Sequence, residues 1–198
     1  MLLFVFLMEL SLSAIIASFI ALFIVMDPFS SVPVFLSVTK KFNEKKKAEA
    51  ARIAGLVATT VLLGFLLGGQ VLLTLLGIRI ESFQIAGGIL MLLISISFAL
   101  GLHLGKPEKT PVEAVIIGVP LLSGPGTMLT ALLLVNTLGV FNVFISCLLT
   151  CIASYLVLLL SGRIYRVLGR NGLEILSRVM GVMLAAYAVE FIRRGFGL

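Results

Sequence analysis

The sequence predicts an all-α membrane protein: six transmembrane helices forming two inverted three-helix repeats, with helices 1 and 4 discontinuous. Three observations carry this. Apolar residues make up 60% of the 198-residue chain and charged ones only 12%, and the mean hydropathy of +1.22 lies far outside the soluble globular range. A proline-containing motif occurs twice. The basic residues alternate from one side of the spans to the other.

About 20 apolar residues cross the roughly 30 Å of bilayer hydrocarbon. Six segments qualify: 10–39 with an interruption, 53–76, 82–101, 113–136, 140–161 and 173–192. They account for 1–198 as one transmembrane domain. Met1 to Leu10 carries no Lys or Arg and holds Glu9, so a cleavable signal peptide is not expected.

Between the spans, Lys and Arg report topology. Residues 40–52 hold six of them, 102–112 two and 163–178 four, against Arg79, Arg193 and Arg194 on the other side. By the positive-inside rule the twelve lie in the cytoplasm, giving a multi-pass cell-membrane protein with both termini outside. The net charge of +6 comes without basic-aromatic interleaving, and no nucleic-acid partner is expected. Cys147 and Cys151, four apart on span 5, read as packing residues, and His103 as interfacial. No metal site, cofactor or catalytic constellation is expected, nor an enzyme.

The opening interruption is "DPFSSVP", Asp27 to Pro33, and its echo is "PLLSGPGT", Pro120 to Thr127. Pro28 and Pro33 are five apart, as are Pro120 and Pro125, and Ser31 matches Ser123. Pro28 to Gly77 spans 49 residues, as does Pro120 to Gly169. After one inserted residue, "ESFQIAGGILML" at 81–92 overlays "EILSRVMGVMLA" at 174–185, pairing Gly88 with Gly181. Repeat one is 10–101 and repeat two 113–193. Three spans per repeat is an odd number, so the second copy is inverted, as in many secondary transporters.

Both motifs lie about ten residues from a cytoplasmic span end, roughly 15 Å at 1.5 Å per residue and so near mid-bilayer. Two prolines with serines or glycines between them predict about a turn of unwound backbone, with a new half-helix starting after Pro33 at Val34 and Phe35. Such backbone is tolerated only where it faces protein or a wet cavity. The candidate binding residues are therefore Asp27, Pro28, Ser30, Ser31 and Pro33 in the first motif and Ser123, Gly124, Pro125, Gly126 and Thr127 in the second. One break suits a carboxylate at a half-helix N-terminus, the other an ammonium or coupling ion. Asp27, an acid deep in a span, reads as functional, though an Asx cap before Pro28 is a compatible structural role. Gln84 and Asn136 are candidates for hydrogen bonding the breaks. Gly64, Gly68, Gly69, Gly87, Gly88 and Gly181 read as close-packing residues, with Gly87 and Gly88 able to line a small cavity. Arg178 is placed to pair with Glu174.

With "DPFSSVPVFLSVT", "PLLSGPGTM", six spans near 200 residues and a basic first loop, the chain resembles the MarC-like proteins, also described as the small neutral amino acid transporter family. That resemblance covers essentially the whole chain. It implies sodium-independent or proton-linked transport of glycine, alanine, serine and similar small amino acids, with both breaks forming the site and H+ as a coupling partner. Ser30 and Ser31 stand where a small or amide-bearing residue is expected, which alters the hydrogen-bond pattern. The expected function is thus alternating-access transport of a small neutral amino acid, with Asp27 as the carrier of any coupling proton. The alternatives are export of other small metabolites, or a non-transporting membrane sensor or scaffold. Oligomeric state is not legible.

Overall fold

The computed structural model describes residues 10–100 and 124–197. Among these, every regular element is helical: α1 Leu12–Met26, α2 Pro28–Val38 with a 3-10 turn Thr39–Lys41, α3 Glu44–Leu75, α4 Ile80–Ala99, α5 Pro125–Leu138, α6 Val140–Leu159 and α7 Ser161–Gly195. Four of these (α3, α4, α6 and α7) are long and apolar enough to cross a membrane, and the bent α1–α2 pair makes a fifth candidate span. The fourth expected span is described only from Gly124 onward. His103, Glu113, Pro120 and Ser123 lie outside the described residues.

Local chemistry sets the ends. Ser11 caps α1, its Oγ accepting from Ala14 N–H at 3.4 Å. Asn43 caps α3, its Oδ1 accepting from Lys46 N–H at 2.9 Å, with Glu44 in the first turn where a negative charge suits the helix dipole. This cap corrects one expectation: α3 starts at Glu44, not near 53, so Lys45 to Arg52 sit on helix and the connection is short. At 32 residues α3 is about 48 Å long, so its basic first turns project beyond roughly 30 Å of hydrocarbon. It ends in a Schellman motif, Ile78 N–H to Leu73 O at 2.9 Å and Gly77 N–H to Thr74 O at 3.1 Å, which requires the left-handed Gly77, φ 65°. Its sequence counterpart, Gly169, has φ 64° and bends α7.

The longest helix contact is α4 against α7, which run antiparallel. Gly181, Ala188 and Gly195 recur every seven residues on α7, and α4 lies so close that a Cβ on Gly195 would stand 2.9 Å from Glu81 O. A Cβ on Gly88 would meet Ala188 O at 2.9 Å and Ile192 N at 3.2 Å; on Gly181 it would meet Ser95 O at 3.1 Å and Ala99 N at 2.9 Å. Small residues let the backbones approach this far. Gly64 and Gly68 depart from the expectation, since a Cβ on either would meet nothing within 4 Å. Gly87 lines no cavity; Leu129 of α5 fills the space beside it.

Two buried clusters complete the interior. One joins Leu22 and Met26 of α1 to Ala54, Ala58 and Leu62 of α3 and to Val143, Cys147 and Cys151 of α6. The other joins Val25, Met91, Leu129, Leu133, Leu184 and Phe191 across α1, α4, α5 and α7. Both cysteines are buried free thiols. A polar seam ties α1 to α6: Ser18 Oγ lies 2.7 Å from Ser146 Oγ, and Ser146 Oγ donates to Ile15 O at 2.9 Å. The outer surface is apolar, with Leu67, Val71, Leu93 and Val182 more than half exposed, as a lipid-facing shell requires.

Candidate functional site

Span 1 is broken, and at a single residue. α1 and α2 meet at 41°, with Asp27 as both the last cap of α1 and the first cap of α2. Pro28 disfavours right-handed helix in the residue before it, and Asp27 takes the left-handed conformation, φ 38° and ψ 67°, the one positive φ among the described non-glycine residues. Asp tolerates that region because its short side chain bonds nearby backbone. Asp27 N–H still reaches Phe23 O at 3.1 Å. Pro28 occupies the first helical position, where a missing N–H costs nothing.

This geometry corrects the sequence reading. Unwinding of a full turn between Pro28 and Pro33 does not occur, and the second half-helix begins at Pro28 rather than at Val34 and Phe35. Pro33 sits inside α2, which continues to Val38 although the carbonyl of Phe29 lacks the N–H that Pro33 cannot supply.

Around the break the polar groups are nearly all internal. Asp27 is 3% exposed. Its Oδ1 accepts from Ser30 N–H at 3.3 Å, and Ser30 Oγ donates to Oδ2. The Ser30 hydroxyl also contacts Ser177 Oγ of α7, tying the break to the last helix. Ser31 is buried beside it, and among the described residues its Oγ is the buried side-chain polar atom with no hydrogen-bond partner. An unpaired buried hydroxyl costs about 1–3 kcal/mol.

The second motif starts α5. Gly124 is its cap, extended at φ −66° and ψ 170° and offering no side chain, and Pro125 again takes the first helical position. Thr127 N–H and Met128 N–H close the first turn on Gly124 O at 3.0 and 3.2 Å. Thr127 is buried, and Thr130 Oγ1 donates to Gly126 O at 2.8 Å. The two motifs meet where α1 ends: a Cβ on Gly126 would lie 3.5 Å from Val25 Cγ1, two residues before Asp27, and 3.0 Å from Met91 Cγ of α4. The end of α1 thus meets the start of α5 through Val25 and Gly126, with Asp27 two residues beyond that contact and Ser30 turned towards α7.

Gln84 and Asn136 do not reach it. Asn136 is 12 residues from Gly124, about 18 Å along α5. With Gln70, Leu73, Thr74, Ile78 and Ile80 these two line a separate cleft of about 240 Å³, at the end of the bundle remote from the 3-10 turn. Ser177 is the site residue that sequence reasoning missed. Its signal was present, since the repeat register pairs it with Gln84. Arg178 and Glu174 do pair, Nη2 to Oε1 at 2.7 Å.

Comparison with known proteins gives a consistent result. The description "MarC family integral membrane protein" matches residues 12–197. A UPF0056 membrane protein of Methanocaldococcus jannaschii is 34% identical, covering 94% of this chain and 97% of that relative. One from Aquifex aeolicus is 33% identical over 91% of each chain. The UPF0056 inner membrane protein YhgN of Escherichia coli K12 is 32% identical, covering 93% of this chain and 96% of its own. No solved structure matches the chain. The apolar helices, the proline motifs and these near full-length similarities agree that the chain belongs to the MarC family of integral membrane proteins.

Proposed function

We propose that this protein is a secondary transporter of small neutral amino acids such as glycine, alanine and serine, working by alternating access between two inverted three-helix repeats. The observation that carries the reading is a pair of helix starts linked by the Val25–Gly126 contact, one supplied with its own carboxylate and one capped by a glycine. α2 opens on Asp27, so an ammonium group is the complement there, with Ser31 Oγ as a waiting partner. α5 opens on Gly124 with no side-chain cap, so its positive end suits a carboxylate. A zwitterion with a small side chain satisfies both. Buried Val25 and Met91 crowd Gly126 at the start of α5 and disfavour larger side chains.

Support for the repeats comes from contacts that recur under one register shift. Adding 93 to Gly88, Ser95 and Ala99 gives Gly181, Ala188 and Ile192, and the glycine contacts are the same ones exchanged between α4 and α7. Gly77 and Gly169 both take a positive φ, 65° and 64°. An axis in the membrane plane has these consequences. The Lys-rich turn then faces the cytoplasm and both termini the outside.

Proton coupling through Asp27 fits a carboxyl group buried within a span. Uptake of labelled glycine or alanine into proteoliposomes, with and without a pH gradient, tests the function. Saturable uptake, competed by serine, is the expected result. Equal counts in protein-free liposomes under both conditions would retire the reading.

A further inference from the structure

We infer that the cleft of Gln70, Thr74, Gln84 and Asn136 is the mouth through which solute reaches the Asp27 break, and that Leu129 seated on Gly87 is the barrier below it. The solute's identity rests on the transporter reading; the mouth and the barrier rest on geometry.

Position comes first. The cleft lies where α3 ends, α4 begins and α5 ends, at the end of the bundle opposite the 3-10 turn Thr39–Lys41. From it α4 and α5 descend together, antiparallel, to the break. Gln84 and Asn136 both line the cleft. One turn deeper Leu129 fills the space beside Gly87, its Cδ2 only 1.8 Å from where a Cβ would stand. Another turn down Met91 packs on Gly126, which also faces Val25. Seven residues of α4 separate Gln84 from Met91, about 10 Å. Leu129, with Leu133 and Met91 buried around it, therefore stands between the cleft and the start of α5.

The comparison of ends comes second. The repeat register pairs Ile80 with Leu173 and Gln84 with Ser177. Symmetric halves in a symmetric state would treat each pair alike. Ile80 lines the cleft, whereas Leu173 is 1% exposed. Gln84 faces open space of about 240 Å³, whereas Ser177 Oγ is closed onto Ser30 Oγ beside Asp27. At these two pairs the halves differ, Ile80 and Gln84 lining open space while Leu173 and Ser177 are packed, an asymmetry of the kind alternating access requires.

Chemistry comes third. Three carboxamides and a hydroxyl offer donors and acceptors without net charge. Thr74 Oγ1 donates to Gln70 O at 2.9 Å and Asn136 Nδ2 to Leu132 O at 3.2 Å, so the Thr74 hydroxyl and the Asn136 amide are held to their own helices with acceptor capacity left over. Such a mouth favours a polar neutral or zwitterionic solute over an ion of either sign.

The test is thiol labelling with a membrane-impermeant maleimide in right-side-out and inside-out vesicles. Cys147 and Cys151 are buried, so the wild-type chain supplies the background. Gln84→Cys and Asn136→Cys are expected to label only from the face opposite the one that labels Lys45→Cys, and Ser177→Cys from neither. Ser31→Cys is expected to stay silent until Leu129→Ala is added. Gln84→Ala is expected to raise KM for uptake about fivefold with kcat unchanged, the effect of one hydrogen bond. Folding of each variant is read from its elution as a single species in detergent. Gln84→Cys and Asn136→Cys both silent in folded protein, or Ser177→Cys labelling as fast as Gln84→Cys, would overturn the inference. Labelling as expected without any amino acid uptake would retire the transporter reading alone.

Discussion

Gly88 and Gly181 set the distance between α4 and α7, and replacing either by alanine measures how firmly. A Cβ at Gly88 stands 2.7 Å from Ile192 Cγ1 and 2.9 Å from Ala188 O; at Gly181 it stands 2.9 Å from Ala99 N and from Phe98 Cβ. The backbone atoms cannot swing aside, so the helices must part by about half an ångström to restore ordinary contact near 3.4 Å, an overpacking of the kind that costs about 1–3 kcal/mol. Alanine returns up to about 1 kcal/mol of helix propensity, leaving a net loss of roughly 0–2 kcal/mol. For a chain of this size each kcal/mol moves Tm by about 2–4 °C. Gly64→Ala and Gly68→Ala provide the contrast, because open space leaves only the propensity gain. Thermal unfolding in detergent, followed by circular dichroism, should therefore place Gly88→Ala and Gly181→Ala below Gly64→Ala by about 1–3 kcal/mol. The double variant should lose less than the sum, since one separation relieves both contacts. If Gly88→Ala matches Gly64→Ala, or if only one of the two seam glycines resists alanine, the close symmetric packing of α4 on α7 is wrong.

Other perturbations follow from the same geometry. Ser31→Ala removes a hydroxyl that bonds nothing in the protein, so Tm should hold or rise while the glycine KM increases by about tenfold, one hydrogen bond to a charged group; a fall in Tm with unchanged KM would refute its role as a ligand. Asp27→Asn keeps a side chain able to cap α2 while deleting the titrating oxygen, so uptake driven by a pH gradient should disappear with substrate exchange retained; gradient-driven uptake at the wild-type rate would remove Asp27 from proton coupling. Asn43→Ala takes away the Lys46 N–H acceptor and should cost about 1 kcal/mol, visible as faster amide exchange over residues 44–48.

Much of this was legible beforehand because hydrophobic length and proline placement are local properties. The broken first span and the packing roles of Gly88 and Gly181 followed from residues read in order. What was not legible depended on competition between neighbours. Two prolines suggested a wide gap, yet Asp27 closes it to one residue by capping α2 with its own carboxylate. The Lys-rich stretch looked like a loop because its charge masks its helix propensity, and Asn43 decides the matter. Gln84 and Asn136 were read as hydrogen-bonding the breaks, but they line a separate cleft, because their distance from Asp27 depends on how the antiparallel α4 and α5 are set against each other, which no single segment states. Ser177 needed the repeat alignment taken one step further, from Gln84 to its partner.

Among the described residues, the close helix packing of α1, α2, α3 and α4 is with α5, α6 and α7 and hardly at all among themselves, the Phe65–Phe83 ring stack apart. During synthesis, then, the first hundred residues leave the ribosome with almost nothing to fold against. They must wait in the bilayer as separate rods until the remainder is threaded, and a chain stopped after Ala99 should be degraded unless residues from 100 onward are co-expressed as a second polypeptide.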